Sequence, residues 1–260
     1  MRLITVLALV GLVHAVPALA KLHTETVEYK IGNDTFEGYL VYDQAVQGAR
    51  PGVLIFHEWM GPQSYERMRA EQLAKLGYVA FVPDIYGKGV RPSTPQEAGE
   101  QTGKYRNNRP LMRERAKAGL DQLLKSNLID PTRIAAIGYC FGGTVALELA
   151  RSGADIAGAV SFHGTPSTPN PDDGKNIKAR ILVLHGAADP NVSAEALTSF
   201  RNEMDAAHVD WQLVMYGGAV HGFSNPKNTG DPSTGVAYNK DADLRSWEDM
   251  RQFFDEIFKR

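Results

Sequence analysis

The chain has 260 residues, 43% hydrophobic and 22% charged, with 28 basic against 30 acidic side chains and a formal charge of -2. This profile excludes a disordered chain, a collagen-like fibre and a multi-span membrane protein. A near-balanced chain has no electrostatic reason to bind nucleic acid, and a single cysteine excludes an intramolecular disulfide.

The first twenty residues read as an address. Met1-Arg2 gives a positive start, residues 3–13 are almost wholly apolar, and Ala18-Leu19-Ala20 supplies a small-x-small pattern before Lys21. This predicts a secretory signal peptide (1–20) cleaved after Ala20, with export to a periplasm or beyond. The alternatives are a buried N-terminal helix and a membrane anchor. The apolar run is far shorter than the roughly 20 residues a span requires, so no stable membrane insertion is expected after cleavage.

From there strand and helix alternate. Short β-rich runs lie at 35–41, 53–56, 79–82, 134–137, 159–162, 181–185 and 211–215. Several are nearly continuous apolar runs, as in parallel strands covered on both faces. Helical patterns lie at 64–76, stopping at Gly77, and at 144–150. A third opens at Ser193, and the last, at 247–258, puts Trp247, Met250, Phe253, Phe254 and Ile257 on one stripe. The alternation predicts a three-layer α/β fold with a mostly parallel central sheet and helices on both faces. With no repeat and no long linker, 21–260 reads as one domain, expected as a monomer. The polar stretch 87–109 reads as an excursion over the sheet edge that bounds a pocket.

Chemistry concentrates at Gly138-Tyr139-Cys140-Phe141-Gly142-Gly143. Strand, Gly-x-nucleophile-x-Gly, helix is a sharp turn that lifts one side chain above the carboxyl end of the sheet. The helix that follows favours a thiolate or a developing oxyanion at its N-terminus. A lone cysteine is often buried and inert, but this elbow favours a nucleophile. Asp189 follows the strand at 181–185, and His221 sits on a glycine-flanked loop after the run at 211–215. Taken singly, they could be a turn aspartate and a solvated histidine. The order Cys140, Asp189, His221 is that of the α/β-hydrolase triad. The loop His57-Glu58-Trp59-Met60-Gly61 follows an early strand, where one oxyanion-hole amide of such folds arises. The two donors are then the backbone amides of Trp59 and Phe141. His57, His163 and His185 end apolar runs and read as structural strand-end residues. No metal-ligand spacing is present, and no cofactor is expected.

Together with Pro83-Asp84-Ile85-Tyr86-Gly87 and His221-Gly222-Phe223, the elbow and the His-Glu loop resemble the dienelactone hydrolase (carboxymethylenebutenolidase) family. The resemblance runs from about Val27 to Phe258. It implies an α/β-hydrolase fold and a cysteine hydrolase of small-molecule esters or lactones. It also implies that Glu58 holds the resting thiol and helps deprotonate it. The chain departs from the family where an arginine four residues after the histidine grips a substrate carboxylate: here the residue is Asn225. Arg109 and Tyr105 are the candidate replacements for substrate binding, with Arg106 and Arg113 nearby; the same cluster also reads as a solvated helix face. A general exported carboxylesterase or thioesterase, or a non-catalytic binding protein on the same fold, are the competing readings.

Overall fold

A computed structural model describes residues 20–259, so the leader expected at 1–20 lies, apart from Ala20, outside the described residues. The described strands are β1 (Leu22–Ile31), β2 (Asp34–Asp43), β3 (Arg50–Phe56), β4 (Val79–Val82), β5 (Ile129–Tyr139), β6 (Gly158–Phe162), β7 (Arg180–Gly186) and β8 (Trp211–Tyr216). They form one sheet in the order β1-β2-β4-β3-β5-β6-β7-β8. β1 and β2, and β2 and β4, pair antiparallel; every other neighbour is parallel. The helices are α1 (Ser64–Lys75), α2 (Pro95–Arg106), α3 (Arg109–Leu123), α4 (Phe141–Arg151), α5 (Ala194–Ala206) and α6 (Lys240–Phe258).

The strands bury both faces because each face carries its own apolar layer. Leu54, Phe56, Ala136, Ala159 and Val183 face α3, α4 and α5. Val53, Ile55, Ala135, Ile137 and Leu182 face α1 and α6. The predicted stripe of α6 lies on that second layer, with Met250 and Phe254 fully buried. Asn239 caps α6 through Ala242 N and starts it seven residues before Trp247. The fold is thus three-layered, as the alternation predicts.

Three elements were not evident from the sequence. β1 is an edge strand whose exposed positions are Thr, Glu and Lys, so no apolar run marks it. The polar excursion at 87–109 contains α2, started by the Thr94 cap and Pro95. α3 follows at once behind the Asn108 cap. Both helices have mostly polar faces, so propensity and capping decide them where an apolar pattern does not.

This topology fixes the site. β5 is central, and the ends of β5, β7 and β8 deliver Cys140, Asp189 and His221 to the same carboxyl edge of the parallel strands, where α/β folds place ligands.

Candidate active site

Cys140 connects β5 to α4 with φ 53 and ψ -114, a disfavoured conformation for a residue with a side chain. The turn is sterically possible only because its neighbours are glycines. A Cβ on Gly138 would lie 1.9 Å from Gly142 O, and one on Gly142 would lie 2.1 Å from Phe56 O. Phe141, the first residue of α4, has its amide among those a helix N-terminus leaves free.

His221 sits on a loop held by residues 235–237: its N–H donates to Gly235 O, and Ala237 N–H donates to its carbonyl. Its Nδ1 lies 2.8 Å from Asp189 Oδ2 and its Nε2 lies 3.0 Å from Cys140 Sγ. Asp189 is buried, and its other oxygen accepts from Asn191 N–H at 2.8 Å. Burial of the His221 ring opposes its protonation. The electrostatic pull of the Cys140 sulfur and the hydrogen bonds the ring makes to Asp189 and Cys140 outweigh burial and push the ring up to about 10. One imidazole therefore bridges thiol and carboxylate, an arrangement that can pass a proton to and from the sulfur.

The loop after β3 is pinned from several sides. Glu66 is buried and accepts from the backbone amides of Glu58 (3.0 Å) and Gln63 (2.9 Å), closing a capping box on α1. His57 Nδ1 lies 2.6 Å from Glu58 O, and its Nε2 accepts from Ile85 N–H at 3.2 Å. Burial holds His57 down at about 4, so it is a neutral strut. Tyr86 OH donates to Trp59 O at 2.8 Å, and the Trp59 side chain stands half-exposed at the rim.

Glu58 does not hold the thiol in this structure, in contrast to the role the resemblance implies for it. Its Oε2 accepts from Asn225 Nδ2 at 2.7 Å, while the sulfur faces His221. Burial and the neighbouring Glu66 raise its carboxyl to about 7, against the Asn225 hydrogen bond and the charge of His221. A neutral amide at position 225 cannot pull that value down as an arginine would.

Glu58, Trp59, Arg106, Cys140 and His221 line one cavity of about 360 Å³. Tyr105 and Arg109 do not line it. Tyr105 is buried and stacked on Tyr86 at 5.6 Å between ring centres. Arg109 is half-buried with Nη1 on Met112 Sδ. Arg106, the last residue of α2, reaches the cavity instead. The break between α2 and α3 sets Arg106 apart from Arg109 and Arg113, and that break was not legible in the apolar pattern. Asn191, Asn228 and Val236 also line the wall. They come from loops that carry no motif.

Comparison with known proteins places the fold in a family. The family model described as "Dienelactone hydrolase family" matches residues 36–258. A solved structure named m3DLH superposes with a TM-score of 0.88 at 38% identity, covering 91% of this chain and 98% of the other. A dienelactone hydrolase-like promiscuous phosphotriesterase from metagenomic libraries gives 0.86 at 35% identity, covering 91% and 98%. A relative from Aquifex aeolicus (strain VF5), named "Putative carboxymethylenebutenolidase", is 26% identical over 240 residues, 90% of this chain and 99% of its own length. The family match begins in β2 and ends in α6, so it spans the whole sheet edge that carries Cys140, Asp189 and His221: the chain belongs to the dienelactone hydrolase family.

Proposed function

We propose that the protein hydrolyses ester or lactone bonds of small molecules with Cys140 as nucleophile. The observation that carries this reading is the single imidazole of His221, within 3.0 Å of Cys140 Sγ and 2.8 Å of Asp189 Oδ2 at one cavity. The thiolate attacks the carbonyl carbon, and the C=O electron pair moves onto oxygen. The backbone amides of Trp59 and Phe141 receive that oxyanion, each donor being worth about 3 kcal/mol. Protonated His221 gives its proton to the leaving oxygen as the C–O bond breaks, leaving a thioester on Cys140. Neutral His221, oriented by Asp189, then takes a proton from water, which attacks the thioester and regenerates the thiol. Glu58, protonating near 7 at the same cavity, becomes a second base for the thiol proton when bound substrate draws it away from Asn225.

Thiolate is a better leaving group than a simple alkoxide, so the tetrahedral adduct of an alkyl ester collapses back to substrate. Enol and aryl esters, including enol lactones, escape that limit. Asn225 in place of an arginine favours a broader esterase reading over strict recognition of a carboxylate-bearing lactone. The phosphotriesterase among the solved relatives adds phosphotriesters to the panel to be assayed. Export, with a cleaved leader at 1–20, is part of the same proposal and rests on the charge, apolar run and small-x-small pattern of that segment.

The test is hydrolysis of p-nitrophenyl acetate, a dienelactone and diethyl p-nitrophenyl phosphate by the chain and by Cys140→Ala. Turnover lost in the variant is the expected result. The ratio among substrates separates lactonase from general esterase. Full activity in Cys140→Ala would refute the cysteine mechanism, and a well-folded chain inert toward the whole panel would favour a binding protein.

A further inference from the structure

Beneath the elbow runs a buried polar relay that the reaction scheme does not use. The Cys140 backbone N–H is shared between Phe162 O (3.0 Å) and His163 Nδ1 (3.1 Å). A backbone amide can only donate, so Nδ1 is the unprotonated nitrogen and Nε2 carries the hydrogen. That Nε2 lies 2.7 Å from Ser224 Oγ. Ser224 Oγ in turn lies 2.7 Å from Tyr65 OH, which accepts from Arg69 Nε, and Arg69 pairs with Asp243 of α6. His163, Ser224 and Tyr65 are all buried.

The two ends of the His163 ring touch the residue that carries the sulfur and the loop that carries the imidazole. One end holds the strained residue that carries the sulfur. The other holds Ser224, three residues beyond His221 on the same loop. The ring face also meets His221 edge-on at 5.4 Å and Phe223 at 5.1 Å between ring centres. A protonated His163 could not accept from Cys140, and it would set a second cation beside His221. Burial, with His221 and Arg69 close by, keeps it well below the ordinary histidine range.

We propose that His163 is a positioning residue: as the neutral Nε2–H tautomer it ties the Cys140 amide to Ser224 and so sets the separation of Cys140 Sγ from His221 Nε2. The inference rests on the proposed roles of Cys140 and His221. A misplacement of about 1 Å in such a pair can cost on the order of a hundredfold in rate, and a looser pair leaves less thiolate near neutral pH.

The experiment is a double-mutant cycle of His163→Asn and Ser224→Ala, read by kcat for p-nitrophenyl acetate and by the pH midpoint of Cys140 alkylation with iodoacetamide. Asn offers its Oδ1 where Nδ1 stood but cannot reach Ser224, so both variants break the same bond. Each is expected to lower kcat by about tenfold or more with KM within about twofold, and to raise the alkylation midpoint. The double variant should be no slower than the slower single one, because one interaction is being removed twice. Independent, multiplying losses would overturn the proposal, as would an unmoved midpoint and kcat in folded Ser224→Ala. If His163→Asn fails to fold, Ser224→Ala, the loss of a single hydroxyl, decides the matter alone. Alkylation needs no turnover, so it still reports on the relay if Cys140→Ala shows that the cysteine mechanism itself is wrong.

Discussion

Glu58 and Asn225 show how one neutral residue resets a site. With Asn225 as its hydrogen-bond donor, Glu58 is raised to about 7 by burial first and Glu66 second. A carboxyl raised in the fold is disfavoured as the anion. Folding therefore loses stability as pH climbs from the unfolded value of 4.5 to about 7, and the penalty is complete above that. Glu58→Gln should melt higher than the parent at pH 8 and match it near pH 4, as read by thermal scans across pH. If Glu58 serves as the second base, the rising limb of kcat/KM with a midpoint near 7 should disappear in the same variant. A limb that survives would assign it to another group. Conversely, Asn225→Arg should move that midpoint down, because a cation favours the carboxylate. The sequence revealed that position 225 departs from the family arginine. That its amide would bond Glu58 was not legible, since the two residues meet only through the fold.

At the scale of elements, the legible features were those written in apolar periodicity or in glycine. The parallel strands and the stripe of α6 are of the first kind, and the Gly138–Gly142 elbow is of the second. β1, α2 and α3 were missed because their outward faces are polar and their signals are caps and edge pairing. Two buried features of the helices carry predictions. Glu66 caps α1 and also pins the Glu58 amide, so Glu66→Ala should cost about 1 kcal/mol of stability, the usual worth of a cap, and should also lower kcat. A stability loss with kcat intact would separate the cap from the site. Arg151 at the end of α4 is fully buried and pairs with Glu148 and with Glu203 of α5. Arg113 of α3 joins the same cluster through Glu148 and Asp173. Removing one partner strands buried charge, so Arg151→Ala should destabilise by about 3–5 kcal/mol in urea unfolding. A change below 1 kcal/mol, on the scale of a surface pair, would show that water reaches the cluster.

At the scale of the whole molecule, one sheet edge gathers residues far apart in the chain. β5, β7 and β8 lie side by side in the sheet with only β6 between β5 and β7, so at their carboxyl ends Cys140, Asp189 and His221 converge without any local sequence signal beyond the elbow and the loop glycines. Their order along the chain was enough to anticipate the convergence, because strand order in such sheets is constrained. The wall of the cavity was not, because Arg106, Asn191 and Asn228 enter from loops and helix ends set by three-dimensional phase. In the proposed reaction the acyl group passes through a thioester on Cys140. This step is tested most directly by rapid acid quench of p-nitrophenyl acetate turnover, followed by peptide mass spectrometry. An acetyl group is expected on the peptide containing Cys140, appearing within one turnover and decaying with the steady-state rate. An acetyl group on another residue, or steady turnover by Cys140→Ala with no acyl-enzyme, would contradict it.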